Sequence, residues 1–321
     1  NFPHNSIMVQ TTVGGSLGET DDDLRWLVDY IQTNDPDGEG YYQAYTHIAP
    51  DETIMEETYE EHFYQIGGAT IFDNNGVKEL QMLWGEMDNH EGKMTRTGTC
   101  LAVYSLEGQP GNSTYLKRIS KNEEFNTDDV GYGSTIWKDE DGHIYLYVTE
   151  NNRPLVARTT THDLTSEWEY YIRDLSGNFM WQKMYPTKEE RTRSTIMENN
   201  YVCSMPQILK KGDYYYMIGQ AVSYVHSVYL YRGETPYGPF TDQKILFNVP
   251  YAVDKIGNQY YKNLLRVNLH LELAREGELV FSTNTDADTA GDNFDFPGSA
   301  DFCRPYFYRV FNWESIYDED E

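Results

Sequence analysis

The chain has 321 residues, with 25 Lys and Arg against 52 Asp and Glu, so its formal net charge is −27. This acidic balance excludes nucleic acid as a partner, because phosphate binding requires clustered Lys and Arg. Aromatic residues make up 15% of the chain, far more than a disordered acidic chain carries. No apolar run reaches the roughly 18 residues of a membrane-spanning helix, so we also expect no membrane insertion.

The first predicted strand covers residues 6–10, and no hairpin precedes it. It resembles the third strands of the repeats described next, which indicates that the chain begins inside an incomplete unit. We expect residues upstream of Asn1 to supply the missing hairpin. The following stretch, Asp21–Ile31, fits a helix and a strand equally well.

Four β-hairpins of one design then recur along the chain. In each, Gly beside an acidic residue or Lys supplies the positive φ of a tight turn, and β-branched and aromatic residues flank the turn. The paired segments are Gly68–Phe72 with Leu80–Trp84, Ser134–Trp137 with Ile144–Val148, Pro206–Leu209 with Tyr214–Ile218, and Leu269–Leu273 with Leu279–Phe281. The first strands end at equivalent positions, which are Phe72, Trp137, Leu209 and Leu273.

A third strand follows each hairpin, so each repeat has the makings of one propeller blade. The predicted third strands are Cys100–Tyr104, Leu155–Thr159, Val228–Tyr231 and Pro305–Val310. We therefore predict an all-β fold, a five-bladed β-propeller with four-stranded blades whose first blade is incomplete. It forms a single domain over residues 1–321, with blades at 1–60, 61–128, 129–197, 198–262 and 263–321.

Polar side chains recur where the second strand of each hairpin ends, at Glu86, Glu150, Gln220 and Asn284. In a propeller these ends lie on one face around the axis, where a ligand meets several blades. Carboxylates gathered there are suited to the acid and base steps of glycoside hydrolysis. The alternative is that polar residues end strands before solvated loops.

Further candidates lie near the starts of the first strands and in an insertion at Asn178–Arg193. The predicted catalytic residues are Glu86, Glu150 and Glu198, although Glu198 could instead only solvate a loop. The predicted substrate-binding residues are Tyr132, Gln220, Asn284, Asn5, Arg266 and Trp181. Trp181 offers an aromatic platform for a sugar ring, with simple packing as the alternative.

His270 lies on a predicted innermost strand, between Asn268 and Glu272. It could approach a structural calcium or another ion on the axis, and a structural histidine is the alternative. We expect no other cofactor. The three cysteines, Cys100, Cys203 and Cys303, are too few and too scattered for a disulfide framework or a CxxC metal site. We expect them to be free, buried thiols.

The repeats resemble the five-bladed propellers of the arabinanase and xylosidase class of glycoside hydrolases. The resemblance rests on the hairpin turn at residues 139–142, the Tyr237–Phe240 turn and the segment Met205–Ile208. The class implies an Asp base, a second Asp and a Glu acid just before Ala69, Ser134 and Pro206. The matching residues here are Gly68, Gly133 and Ser204, so this chain departs from the class at all three.

The chain is more similar to uncharacterised bacterial propeller domains related to the endo-D-arabinan-cleaving enzymes. Those domains have an acidic strand end in the first blade, followed by a strand like Pro3–Val9. The resemblance implies an Asp upstream of Asn1, at the blade position of Glu86 and Glu150. A second Asp of the arabinan-cleaving relatives is replaced here by Gln10–Thr12.

These observations favour a secreted bacterial glycan-active protein, a glycoside hydrolase that acts on an oligo- or polysaccharide with carboxylates on the axial face. The alternative is a non-catalytic propeller that binds carbohydrate or another protein, since fold alone does not fix function. We expect an extracytoplasmic location and a monomer.

Overall fold

A computed structural model describes residues 61–90, 93–108, 115–126, 129–199, 201–221, 226–249, 263–286 and 306–320. These residues form an all-β propeller fold made of antiparallel sheets. The described part contains four sheets, one for each of the four predicted hairpins. The blade count is therefore four in the described residues, and the prediction of five is corrected. Residues 1–60, to which the incomplete first blade was assigned, lie outside the described residues.

The sheets follow one another along the chain. The first contains β1 (Glu61–Asn74), β2 (Val77–His90), β3 (Lys93–Leu106) and β4 (Tyr115–Asn126). The second contains β5 (Thr135–Lys138), β6 (Ile144–Glu150), β7 (Arg153–Thr159), β8 (Trp168–Arg173) and β9 (Phe179–Gln182). The third contains β10 (Ser204–Lys211), β11 (Tyr214–Gln220), β12 (Ser227–Gly233) and β13 (Thr241–Asn248). The last contains β14 (Asn263–Leu269), β15 (Glu278–Asp286) and β16 (Tyr306–Phe311).

Helical structure in the described residues is short. One α-helix, α1, covers Lys188–Arg193, and 3-10 segments cover Leu271–Leu273 and Trp313–Asp320. No helix among the described residues is long and apolar enough to span a bilayer.

The second hairpin shows why these sequences form strands. β6 begins with five consecutive buried residues, and because successive side chains point to opposite faces of a sheet, both of its faces are shielded from solvent there. Its turn is held by two aspartates: Asp139 accepts a bond from the Asp141 N–H, and Asp141 accepts one from the His143 N–H. The Tyr145 hydroxyl also donates to Asp141, over 2.6 Å. Side-chain bonds from Asp to the backbone two residues on are typical of tight turns and stabilise this one.

The first three predicted hairpins are confirmed, as are all four third strands, which are β3, β7, β12 and β16. The fourth hairpin is shifted. β14 ends at Leu269, which pairs with Phe281, and Leu271–Leu273 forms a 3-10 turn. The prediction that Leu273 ends a first strand is therefore wrong. The backbone leaves the extended conformation at His270, whose ψ is 80°, so the ladder cannot continue.

Contacts divide the chain into two compact units. Among the described residues, the first includes those up to Val148 and Val156–Glu190, and the second includes Thr149–Leu155 and those from Arg191 onward. In the first unit, Trp84 and Tyr104 are fully buried in a core that side chains of the first sheet form. In the second unit, Phe281 and Leu230 belong to a core that Trp313 also enters.

Two glycines connect the first and second sheets. The Gly68 N–H donates to the Gly133 carbonyl over 2.7 Å. A Cβ atom at residue 68 would lie 2.5 Å from Ile136 Cγ2, and Gly133 has a φ of +92°. A side chain at either residue would therefore clash or strain the backbone. The close approach requires glycine at both positions.

Cys100 and Cys203 are free and buried, which confirms the prediction for these two thiols. Burial raises the pKa of Cys203 far above its ordinary value. Cys303 lies outside the described residues.

Candidate functional site

The candidate site lies in the second unit, at the turn that connects β6 to β7. Glu150 is the last residue of β6, and Asn151 and Asn152 follow it with φ values of 53° and 60°. Asn adopts this left-handed conformation more readily than most residues, and a two-residue turn with positive φ at both positions suits a hairpin. The tight turn therefore fixes Glu150 at the end of its strand.

A clasp segment, residues 191–204, runs beside this turn and is bonded to it at two points. The Ile196 N–H donates to the Pro154 carbonyl over 3.1 Å, and the Cys203 N–H donates to the Asn152 carbonyl over 2.9 Å. Next to Glu150, the Thr149 hydroxyl accepts a bond from the Met205 N–H over 3.2 Å. The two main-chain bonds, to Pro154 and Asn152, hold the clasp segment in position without depending on its side chains.

Arg191, the first residue of the clasp segment, reaches the Glu150 carboxylate with two nitrogens. Its Nε lies 3.1 Å from Oε2, and its Nη2 lies 3.2 Å from Oε1. The Arg191 side chain is 3% exposed, whereas that of Glu150 is 21% exposed. This two-pronged pairing fixes the orientation of the carboxylate and balances its charge, while leaving part of it open to solvent.

Glu198 lies on the same clasp segment, between the two bonded points. Its N–H donates to the Phe240 carbonyl, and its own carbonyl accepts a bond from the Tyr201 N–H, over 3.1 and 3.0 Å. Asn199 follows with a φ of 53°, so the chain turns sharply here. The Glu198 side chain is exposed to solvent.

Gln220 approaches the clasp segment from the neighbouring sheet. It is the last residue of β11, is buried, and pairs with Ser204 at the end of the clasp segment. The second unit thus connects three predicted site residues, Glu150, Glu198 and Gln220, through one short stretch of chain.

Two predicted site residues lie in the first unit. Glu86 is half-buried in β2, opposite Tyr64 on β1 and Gly98 on β3. Tyr132 is buried and meets the rings of Tyr170 and Tyr185 edge to face, with centroids 5.1 and 6.3 Å away. Glu86 and Glu150 belong to different units. That both lie on the axial face of the propeller therefore stays a prediction.

Trp181 is also in the first unit, on β9. The Arg158 guanidinium carbon lies 4.2 Å from the centre of its ring, and the Tyr171 ring lies 4.6 Å away. Tyr171 in turn stacks on Phe179 with centroids 4.9 Å apart. Trp181 therefore packs among side chains of β7, β8 and β9, and its role in substrate binding stays a prediction.

The remaining candidates are described only in part. Arg266 and Asn284 lie on β14 and β15, and their side chains are outside the described residues, as is all of Asn5. His270 has a protein partner at each ring nitrogen, Glu272 at Nδ1 and Ser282 at Nε2. In the described part of the chain, no group of three or more His, Cys, Asp or Glu is arranged to hold a metal ion. The ion expected near His270 stays a prediction.

Two arginines were not predicted in the roles that they have. The pairing of Arg191 with Glu150 joins residues 41 apart in sequence, which no local pattern indicates. Arg96 packs its guanidinium against Gly85 and Gly131, where an added Cβ would lie 2.3 and 2.5 Å from it. The available signal for Arg96 was a glycine next to a predicted site residue in both places, Gly85 before Glu86 and Gly131 before Tyr132, because glycine leaves room for a large side chain.

Comparisons with known proteins show which family and which solved structures the chain is similar to. Residues 1–313 match the model of the family described as a domain of unknown function, DUF5005. A crystal structure described as a "putative hydrolase" from Bacteroides ovatus ATCC 8483 is 53% identical, with a TM-score of 0.83, and the match covers 100% of this chain and 79% of that one. No curated protein matches the sequence.

Two more distant solved structures are glycoside hydrolases. An exo-β-1,3-galactanase from Phanerochaete chrysosporium is 10% identical with a TM-score of 0.42, over 79% of this chain and 48% of that one. An α-L-arabinofuranosidase from Lactobacillus brevis is 8% identical with a TM-score of 0.39, over 75% of this chain and 71% of that one.

Proposed function

Because the chain belongs to the DUF5005 family, whose description assigns no activity, we propose a function from the site itself: hydrolysis of glycosidic bonds in an oligo- or polysaccharide. The observation that carries the proposal is the Glu150 carboxylate, held by the buried Arg191 and still partly open to solvent. The description of the 53% identical relative as a hydrolase supports the reaction class.

The two carboxylates beside the clasp segment suit different steps of the reaction. Glu150, with its charge balanced by Arg191, is the negatively charged partner that stabilises or attacks the developing oxocarbenium ion. Glu198, exposed on the same segment, is the proton donor to the leaving oxygen. Glu86, on the first unit, is the second candidate for either role.

The test measures release of reducing sugar from a panel of arabinans, galactans, xylans and bacterial polysaccharides. We expect Glu150→Gln to lower the rate by about 10²-fold or more, because it removes the charge and keeps the shape. Glu169→Gln is the matched control, since Glu169 also pairs with an arginine, Arg158, over 2.7 Å, but across the strands β7 and β8, away from the turn that carries Glu150. Equal activity of wild type and Glu150→Gln would refute the role of Glu150.

The second candidate function is a binding module without catalysis. It is favoured by Gly68, Gly133 and Ser204, which stand where the similar arabinanase class has its three acids. A binding module would migrate more slowly in affinity electrophoresis through gels that contain glycans from the same panel, and it would release no sugar from them. Under either function we propose an extracytoplasmic location, where polysaccharides of this kind are found.

A further inference from the structure

Three side chains at the hairpin of the last sheet form a hydrogen-bonded line that the proposed function does not use. His270 lies just after β14, and its Nε2 is 2.7 Å from the hydroxyl of Ser282 on β15. Its Nδ1 is 3.3 Å from Oε1 of Glu272, which the 3-10 turn places beside it. A hydroxyl, an imidazole and a carboxylate in this order are the parts of an activated serine nucleophile.

The hydrogen-bond partners fit that order. The hydrogen bond from His270 lowers the pKa of Glu272, which favours its carboxylate form, and a carboxylate can only accept. A neutral imidazole that donates its Nδ1 hydrogen to Glu272 has Nε2 as an acceptor for the hydroxyl hydrogen of Ser282. This is the tautomer in which the imidazole can act as a general base.

The strand register fixes the other neighbours of Ser282. Asn268 on β14 and Phe307 on β16 stand directly opposite it, and cross-strand partners share one face of a sheet. The His270 N–H donates to the Val280 carbonyl over 2.9 Å, which fixes the backbone that carries the imidazole. Ser282 is 6% exposed, so only a small group can reach its hydroxyl.

We propose that Ser282, His270 and Glu272 form a second active site, which hydrolyses esters of small carboxylic acids. The Ser282 oxygen attacks the ester carbonyl carbon while His270 Nε2 takes the hydroxyl proton. The bond to the leaving oxygen then breaks, and His270 returns that proton to the departing alcohol. Water attacks the acyl-serine with His270 again as the base, which releases the acid and restores the hydroxyl.

Two further residues have supporting roles in this site. Glu272 is a positioning residue, because it touches only the imidazole and fixes its tautomer. Asn268, opposite Ser282 and exposed, provides a carboxamide donor for the oxyanion that forms during attack.

The first experiment treats the intact wild-type chain with a small dialkyl fluorophosphate, which carries no linker or tag, and locates the labelled residue by peptide mass spectrometry. We expect one label, on Ser282, although it is buried. Ser315 is the internal control, since it is exposed and its hydroxyl donates only to the Asn312 carbonyl. Labelling of Ser315 and not Ser282, or no labelling at all, overturns the proposal, and this result does not depend on whether any variant folds.

The second experiment measures hydrolysis of p-nitrophenyl acetate. Ser282→Ala is expected to reduce the rate to that of buffer, and His270→Gln to lower kcat by about 10²- to 10⁴-fold. Ser315→Ala is expected to match wild type. Glu272→Gln should lower kcat with little change in KM, and Glu272→Asp should recover part of the loss, which a purely structural role would not produce.

The ester activity is independent of glycan cleavage, and the variants separate the two. Glu150→Gln should leave ester hydrolysis unchanged, and Ser282→Ala should leave sugar release unchanged. Unchanged ester hydrolysis in folded Ser282→Ala, verified by its circular dichroism spectrum and melting temperature, refutes the second site and leaves the first untouched.

Discussion

The pairing of Glu150 with Arg191 differs from that of Glu169 with Arg158 chiefly in burial. Arg191 is 3% exposed, whereas both partners of the other pair are about one-fifth exposed, at 21% and 20%. Burial matters because hydrogen bonds to charged groups contribute about 1.5–3 kcal/mol, whereas exposed ion pairs contribute roughly 0–1 kcal/mol.

A pair of double-mutant cycles tests this difference in urea unfolding. We expect a coupling free energy of about 2 kcal/mol between Glu150→Gln and Arg191→Met, and below about 1 kcal/mol between Glu169→Gln and Arg158→Met. Equal coupling in the two cycles would mean that solvent reaches the first pair as freely as the second.

At this scale the sequence identifies some residues and not their partners. Glu150 stands out because polar residues recur at the end of the second strand in each repeat. Arg191 has no comparable signal, since its contact depends on how the clasp segment folds back on the turn. The line of Ser282, His270 and Glu272 was hidden for the same reason, because a strand break brings Glu272 to His270.

At the scale of the element, β10 and β11 approach each other closely next to the candidate site. A Cβ atom at Gly219 would lie 2.6 Å from Cys203 Sγ and 2.8 Å from the Ser204 carbonyl oxygen. We therefore expect Gly219→Ala to lower the free energy of unfolding by about 1–3 kcal/mol, since overpacking of a filled interior has that cost.

The control for this change is Gly212→Asn, in the turn between the same two strands. Gly212 has a φ of +58° and no atom within 4 Å of an added Cβ, and Asn tolerates that conformation. We expect a change within about 0.5 kcal/mol. Urea midpoints of the two variants give the comparison, and similar losses in both would contradict the packing argument.

Hairpins and third strands were predictable because turn residues and strand residues alternate in the sequence. The fourth hairpin was placed too late, since Leu271 and Leu273 look like strand residues but follow the break at His270. The extra strand β9 was not predicted either. It pairs with β8 through an aromatic and apolar stretch that the insertion supplies, and such a stretch has no repeat counterpart.

At the scale of the whole molecule, buried tyrosines make the fold sensitive to alkali. Burial raises the pKa of six tyrosines of the described residues above the ordinary value of 10.0, and these are Tyr104, Tyr145, Tyr216, Tyr231, Tyr308 and Tyr317. Above that pH the unfolded chain loses these protons and the folded chain keeps them. Stability is therefore complete below pH 10 and falls as the pH rises further.

Absorbance at 295 nm follows the ionisation of tyrosine and tests this expectation. Exposed tyrosines should titrate near pH 10, and the buried group should ionise only in a later, cooperative step that coincides with loss of the far-ultraviolet circular dichroism signal. A single smooth titration of all 28 tyrosines in the folded chain would contradict it.

The all-β propeller class followed from the repeats, whereas the number of blades did not. The count of five depended on one short strand near the start of the chain, and four sheets account for the described residues. A single strand without its hairpin is weak evidence for a blade, because pairing partners define a sheet and one strand has none of its own.

The bond between Gly68 and Gly133 connects two sheets through main-chain atoms only. Evolution can therefore not adjust this joint by exchanging one side chain for another, as it can at an ion pair or an aromatic contact. A change at Gly68 meets Ile136, and a change at Gly133 strains the backbone, so a substitution at one glycine has no partner that could compensate for it. We therefore expect both glycines to be kept together wherever this spacing of the two sheets is kept, while the sequences on either side of them can change.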